Sequence, residues 1–439
     1  MINSTDSILF KGAVWPPESE KTRLTLYEQN LQLFSGNHTK VYTGLLRLFH
    51  NSAAEHSKII LILNWHRRLS CLWPDLLIGE TPDVKVDEAN QEAAKELRRD
   101  IALWPETYKG LLDMSRFGVG PVKIYKDESE RVHVQAIAPS RWFPIQDEDG
   151  QVNEHLLAWT TNGKLHCEIH RRGEVETRKY DFAEGKIYSD AKEIEIVPTG
   201  IDDFLVVPLL NLTTTTDQWG MDDYTPLDPI IRRLETRLTR LGRILDAHSE
   251  PVMGVPEDAI SKDPNTGESH YDSNLKVFPL AEGQAPPQYI TWDGQLTASF
   301  QEIQFLMDQL YAISETCPQA FGQSMTGGAE SGTSLRLRMM APLKRVERLR
   351  LNIDPAIKKI IYLAGQLSGI PLKENEIGID WHDGLPNDEF QQMQIESTAV
   401  MNKISSSKAA AKRIYRLTDG QAEADQRQIA QEVSRHGGF

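Results

Sequence analysis

Three short stretches carry residue types that do chemistry in other proteins. The run Gly327–Ser334, GGAESGTS, has the G-x-x-x-x-G frame of a phosphate-binding loop. Thr333 stands where such a loop needs Lys to reach the β- and γ-phosphates, and a helix-patterned segment precedes it instead of a buried strand. An ATPase is excluded on both grounds. His166, Glu168 and His170 alternate in KLHCEIH and would share one face of a strand, as a metal trio could. The solvated outer face of an antiparallel sheet gives the same pattern and is its commoner source. DEDG at 147–150 lacks the later ligands and closing Glu of a calcium loop, so it reads as a turn. There is no HExxH, no GxSxG and no Cys/His pair at ligand spacing. The expectation is a non-enzyme with no catalytic residue, metal or cofactor.

The elements that position these stretches centre on residues 296–369. Leu296, Phe300, Ile303, Leu306, Met307, Leu310 and Ile313 recur at three- and four-residue spacing, which puts them on one face of a helix. Pro318, Gly322, Gly327, Gly328 and Gly332 then interrupt it with a small-residue loop that has almost no apolar anchor. A basic helix follows, carrying Arg336, Arg338, Lys344, Arg345, Arg348, Arg350, Lys358 and Lys359. Pro342 predicts a kink in it.

The chain of 439 residues exceeds a single core, so more than one domain is expected. At 40% hydrophobic and 25% charged residues the composition is that of an ordinary soluble protein. Nothing approaches the run of about 18 apolar residues that spans a membrane, and the N-terminus does not read as a secretory signal. Cys71, Cys167 and Cys317 are three and widely spaced, which fits a reducing compartment. The net charge of −15 means that any contact with nucleic acid is local or deliberately weak.

In order, the chain reads as mainly helical to about residue 117, with a stop at Gly79 and a break at Pro105. Residues 118–212 form an antiparallel, half-buried β region of short alternating strands. The helix at 226–249 carries an apolar stripe from Leu227 to Leu245, flanked by Arg232, Arg233, Arg237, Arg240 and Arg243 against Asp228, Glu235 and Asp246. Residues 250–294 are a Pro/Gly-rich insertion with two or three short strands. The tail from Asn387 is helical, with Ser405–Ser407 offering a cap.

Laid out this way, the chain resembles the portal proteins of long-tailed bacteriophages and prophages. WPDLLIGETPDV, GVGPVKIYKD with VQAIAPSRWFPIQDEDG, VPTGIDDFLVVPLLNL, SETCPQAFG with SGTSLRLRMMAPLKR, and the tail beginning IESTAVMNKISSS carry the resemblance. Thr333-Ser334 replace the family's common Ala-Leu. The resemblance implies an α+β portal fold assembled as a closed ring, dodecameric in the virion. It implies a wing at 1–225 (helical 1–117, β-rich 118–212), a stem of helices 226–249 and 295–316, and a clip at 250–294. A tunnel loop at 317–332, a kinked wing helix and linker at 333–380 and a crown at 381–439 complete it. Gln323, Ser324, Met325, Thr326, Gly327, Gly328 and Glu330 would face the channel, with the stem arginines toward the lumen or the subunit interface. Arg336, Arg338, Lys344, Arg345 and Arg348 would form a basic helix behind the loop. The implied function is the DNA channel at the capsid vertex, formed in the bacterial cytoplasm and resident in the virion. Its implied partners are double-stranded DNA bound without sequence preference, the terminase large subunit, capsid or scaffold protein and a head-completion adaptor. A head–tail adaptor or baseplate component is the alternative, and a DNA-processing enzyme a weaker one.

Replacing Arg232, Arg233, Arg237 and Arg240 by Gln is expected to alter DNA retention and leave ring formation intact. Electron microscopy and DNA release on the same sample check this, and lost rings would assign the arginines to the interface.

Overall fold

A computed structural model of the protein describes residues 4–43, 60–249, 252–254, 261–262, 269–270, 288–290, 296–323, 332–382, 389–415, 417 and 419–436. Helices and sheets alternate along it, giving a mixed α and β protein. Helices α1 (Lys21–Phe34), α2 (His38–Val41) and α3 (Trp65–Ile78) precede β1 (Asp83–Lys85), α4 (Gln91–Asp100) and α5 (Leu103–Phe117). The β region holds β2 (Val119–Lys126), β3 (Val132–Ala136), β4 (Trp142–Gln146), β5 (Val152–Thr161) and β6 (Lys164–Arg171). It continues through β7 (Glu174–Ala183), β8 (Lys186–Ile187), β9 (Lys192–Pro198) and β10 (Val206–Leu210). Helices α6 (Asp228–Ser249) and α7 (Leu296–Ile313) flank four short strands, β11 (Val252–Gly254), β12 (Ser261–Lys262), β13 (Ser269–His270) and β14 (Gln288–Ile290). These pair as β11–β14 and β12–β13. Helices α8 (Gly332–Arg338) and α9 (Met340–Leu367), strand β15 (Gly378–Asp380) and helices α10 (Glu389–Met401), α11 (Ser407–Tyr415) and α12 (Asp419–His436) complete the chain.

Two compact units result, one of Met1–Cys71 with Lys109–Ser314, the other of Leu72–Tyr108 with Glu315–Phe439. In the first, β4, β5, β6 and β7 form an antiparallel sheet that β8 and β9 extend along β7. Its middle is covered on both faces, which differs from a half-buried sheet with one solvated side. Phe143, Ile145, Leu156, Leu165, Cys167 and Ile169 pack on one face against Leu9, Ala13 and Trp15 of the N-terminal segment. Trp142 and Leu157, on the other, pack against Val119 of β2 and Val206 of β10. Hence His155 to Ala158 of β5 are buried in succession, without alternation.

The second sheet, β10–β2–β3, lies against α5 at a distance that only glycine permits. A Cβ at Gly120 would sit 1.9 Å from the Gly110 carbonyl oxygen of α5. A Cβ at Gly118, whose φ is +86°, would sit 2.1 Å from the Gly220 oxygen. The Gly118 carbonyl meanwhile accepts the Asn211 N–H at 2.9 Å, closing the strand end on the loop that leads to α6.

In the second unit α9 supplies the core, burying Val346, Leu349, Ile353, Ile357, Ile360 and Ile361. Strand β1 pairs β15, and Trp381 donates its Nε1–H to Asp354 of α9 at 2.8 Å. The Ser406 hydroxyl accepts the Ala409 N–H at 3.1 Å and caps α11, as the serine run predicts.

Proline positions need correction. The break in the helical stretch before residue 117 falls at Ala102, with φ of 48°, and Pro105 sits in the first turn of α5, where a missing N–H costs nothing. The basic helix likewise breaks at Met339, and Pro342 lies in the first turn of α9, where no bond is lost and no kink arises. Pro74 stands inside α3, where no break was looked for. Among the described residues no helix is long and apolar enough to cross a membrane.

Gly120→Ala is expected to lower the unfolding free energy by about 3 kcal/mol, since two backbones must part to admit one methyl. Gly420→Ala in α12, with open space around it, is the matched control and should change stability by no more than about 0.5 kcal/mol in urea denaturation.

Candidate functional site

Helices α6 and α7 pack on one another, and one carboxylate holds them. Arg233 Nε lies 3.0 Å and Arg237 Nε 2.8 Å from Glu302 Oε1 of α7. The hydrogen bond from Arg237, seconded by Arg233, holds the Glu302 carboxyl below the usual carboxylate range. Two of the five predicted stem arginines are therefore committed within the chain. Arg232 is exposed, with its guanidinium 5.9 Å from the Tyr42 ring centre. Arg240 is exposed, while Arg243 is half-buried on the same helix.

The apolar stripe of α7 is half-buried along most of its length, with exposed large side chains on and beside it. Leu310 is buried, but Phe300 is 53%, Phe305 61% and Ile313 47% exposed. Trp65 meets Tyr311 edge-on with ring centres 5.9 Å apart, a local contact that leaves Phe305 outside. At the ~100° per residue of an α-helix, the Phe300, Phe305 and Ile313 side chains project to different sides of α7.

Helix α6 is anchored differently from what its charge pattern suggests. Asp228 and Glu235 read as solvated counter-charges, yet Glu235 is fully buried and the Asp228 side chain only 30% exposed. The spacing carried the signal: Ile231, Leu234, Glu235 and Leu238 fall on one face, so Glu235 and the buried Thr239 interrupt the stripe. Glu235 Oε1 accepts the Leu63 N–H at 3.0 Å, and Thr239 Oγ1 the Leu61 N–H at 3.1 Å. The helix thus satisfies an extended segment, 60–64, that apolar periodicity predicted as helix.

In the second unit the loop before α8 has a built base. Pro318–Phe321 form a 3-10 turn, Phe321 is buried, and Gly322 closes the turn with φ of +75°. Cys317 Sγ lies 3.4 Å from Met339 Sδ, joining the residues on either side of the loop. Arg348 of α9 reaches back to Glu315 at 2.6 Å. Apolar and ionic anchors are therefore present where the composition suggested almost none. Gln323 is exposed, with its N–H donated to the Pro318 oxygen at 3.1 Å. Ser324, Met325, Thr326, Gly327, Gly328 and Glu330 lie outside the described residues.

The basic helix uses its cations locally. Arg345 stacks 4.3 Å from the Trp73 ring centre, Lys344 pairs with Glu347 at 2.7 Å, and Lys358 with Asp354 at 2.6 Å. Arg336 and Arg338 are exposed at the end of α8.

The alternating trio shares a strand face, but that face is covered, not solvated. Glu168 pairs with Lys123 of β2 at 2.9 Å, and His170 is buried. Burial opposes Glu168's ionisation, but His170 and Lys123 overrule it and hold the carboxyl at about 2. His166 stacks on Trp159 with ring centres 5.5 Å apart. Among the described residues no group of three or more His, Cys, Asp or Glu side chains could hold a metal ion. The Cys167 thiol is pushed up to about 12 by burial in the sheet core, which makes it inert.

The described residues thus give a mixed fold with two arginine-rich helices, exposed apolar side chains on α7 and a loop pinned at its base. The family comparison matches this description. Residues 18–435 fit the model of the family described as "Phage portal protein, SPP1 Gp6-like", and the chain belongs to that family. It is a portal protein, whose place is the capsid vertex. No curated protein matches the sequence. Among solved structures, the chain is similar to one from the virion of a native gene transfer agent particle. The identity is 10% and the TM-score 0.51, over 91% of this chain and 94% of that one. A second, from the neck of an empty gene transfer agent particle computed with C6 symmetry, gives 10% identity and a TM-score of 0.51 over 80% and 89%.

Glu302→Gln frees Arg233 and Arg237 while leaving the helix surface otherwise unchanged. If those arginines face the duplex, the slope of log affinity for DNA against log salt should steepen by about 0.9 for each extra phosphate reached. An unchanged slope in a filter-binding titration would place them away from DNA.

Proposed function

We propose that the chain closes into a ring of twelve subunits, around a channel that passes double-stranded DNA during packaging and ejection. In this reading residues 1–225 and 333–380 form the wing and α6 with α7 the stem. Residues 250–294 form the clip, 317–332 the tunnel loop and 381–439 the crown. The observation that supports it, beside family membership, is that α7 leaves the large apolar side chains of Phe300, Phe305 and Ile313 exposed, open to a neighbouring subunit. The C6 symmetry of the gene transfer agent neck supports rotational assembly for a chain of this fold.

The acidic balance supports a conduit over a binder. Each phosphate neutralised adds affinity, which a sliding duplex cannot tolerate. Several cations of α6 and α9 are held by carboxylates or aromatic rings of the same chain, which lowers the number on offer to DNA. The channel-facing residues in this reading are Gln323, Ser324, Met325, Thr326, Gly327, Gly328 and Glu330. The clip meets the terminase large subunit during packaging and a head-completion adaptor afterwards, and the wing meets capsid or scaffold protein. Assembly takes place in the host cytoplasm, and the product resides in the virion.

The test is native mass with electron microscopy of one purified sample. A ring of roughly 600 kDa, from a 49.7 kDa chain, with a central hole as wide as a duplex is expected. A stable dimer or trimer with a solid centre would overturn the reading. Phe305→Glu should reduce the ring to smaller species and leave the circular dichroism of the subunit unchanged.

A further inference from the structure

Two histidine–carboxylate pairs lie side by side beneath the first three turns of α6, and the portal function uses neither. His38 Nδ1 is 2.7 Å from Glu235 Oε1, with both side chains at 0% exposure. Its other nitrogen, Nε2, lies 2.9 Å from the Leu33 carbonyl oxygen at the end of α1. His66 Nε2 is 2.7 Å from Asp228 Oδ1 in the first turn of α6, and the His66 side chain is also fully buried. The two imidazoles meet edge-on with ring centres 5.0 Å apart.

The surroundings fix which protons are present. Asp228 Oδ1 also accepts the Tyr42 hydroxyl at 3.1 Å, so its near oxygen takes donors from both Tyr42 and His66. That makes His66 Nε2 the protonated nitrogen. His66 Nδ1 is buried and has no hydrogen-bond partner among the described residues. A second proton there would create a buried cation with nothing to receive its new N–H. The charged and titratable groups facing this site are His38 and Tyr42 from α2 and its end, Tyr224 and Asp223 from the preceding loop, and Asp228, Arg232 and Glu235 from α6. Arg116 of α5 acts on Tyr224 from farther off.

We propose that this double pair is a proton-sensitive lock that holds the start of α6 to α2 and α3, and that acidification releases it. Three features make it a lock. It joins the end of α1, α2, α3 and α6 through the side chains of His38, His66, Glu235 and Asp228 and the Leu33 carbonyl. It includes the bonds from Glu235 and Thr239 to the 60–64 backbone. Asp228, the acceptor on which His66 depends, is itself partly exposed to water.

The direction follows from linkage. Burial pulls the His66 pKa below its ordinary value, and the bond to Asp228 offsets this only in part. When the lock opens, the freed imidazole regains an ordinary pKa of about 6.5 and takes a proton that the closed form refuses. The lock is therefore unaffected above that pH and weakens as pH falls below it, by up to tenfold in the open-to-closed ratio per unit for one histidine. Its meaning as a stem–wing coupling rests on the portal reading. The lock itself does not, because the measurement below reads the helix and not the ring.

The experiment is hydrogen–deuterium exchange of the full chain between pH 7.5 and 5.0, corrected for intrinsic rates. Peptides covering 60–70 and 228–240 should open progressively below about pH 6.5. Peptides of α9, which carries no histidine, should not open with them. His66→Gln keeps a donor for Asp228 but cannot take the second proton, so its exchange at 228–240 should lose the pH dependence. His133→Asn, at the exposed Asp127 pair, should leave the wild-type profile intact. No opening in the wild type, opening shared with α9, or the same profile in His66→Gln would each overturn the proposal. If His66→Gln does not fold, the comparison of the two regions in the wild type still decides. Ring formation, followed in parallel by electron microscopy, fails or persists independently of these outcomes.

Discussion

Taking a carboxylate out of water is costly unless it meets a partner, and α6 takes Glu235 all the way in. Everything at the root of that helix is arranged around this constraint. The 60–64 segment stays extended because Glu235 and Thr239 accept its amide protons. Helix α3 starts at Trp65, where those amides are already satisfied, and presents His66 to Asp228. Ser70, one turn on, meets the Tyr224 hydroxyl at 2.8 Å, and the Ser115 hydroxyl donates to Asp223 at 2.6 Å. A polar seam with this many members fixes a single register, because a slip in any one strands a buried group in the others.

The seam has an apolar counterpart beside it. Gly110 and Gly120 let α5 and β2 touch backbone to backbone, and Gly118 with Gly220 brings the loop before α6 to the same end of the strand. Polar specificity and close approach thus converge on the point where the sheet hands the chain to its long helix. The same first turns of α6 are also tied to α7, through the Glu302 clasp on Arg233 and Arg237. Exposed ion pairs of this kind add little stability.

Much of this was legible in the sequence. The helices around 228–249 and 296–313, the run of short strands and the serine cap of α11 follow from periodicity and turn chemistry. Legibility failed where long-range pairing overrode local pattern. KIILILN has helical spacing, but the Leu61 and Leu63 amides are bonded to Thr239 and Glu235 of α6, far along the chain, and no window reveals that. Glu235 looked like surface charge because its buried partner, His38, is equally remote in sequence. The alternating trio in β6 looked solvated because the covering strand, β2, is read separately from it. Prolines misled in one consistent way, since Pro105 and Pro342 mark helix starts and not kinks. The cations of α9 read as a stripe for a polyanion, while the pairing of Arg348 with Glu315 and the stacking of Arg345 on Trp73 are tertiary facts.

The sulfur contact between Cys317 and Met339 has a mechanical consequence. Residues on either side of the loop are pinned together at its base, and Arg348 ties the same place to the first full turns of α9. A pull on the loop is then carried across this clamp before it can stretch the flanking backbone. Load arriving at α9 comes as a lever arm swinging about Met339, the one residue between α8 and α9. The break in the helix at Met339 thereby stands between the clamp and the long helix behind it, which buries its own apolar face and carries Pro355 within its span.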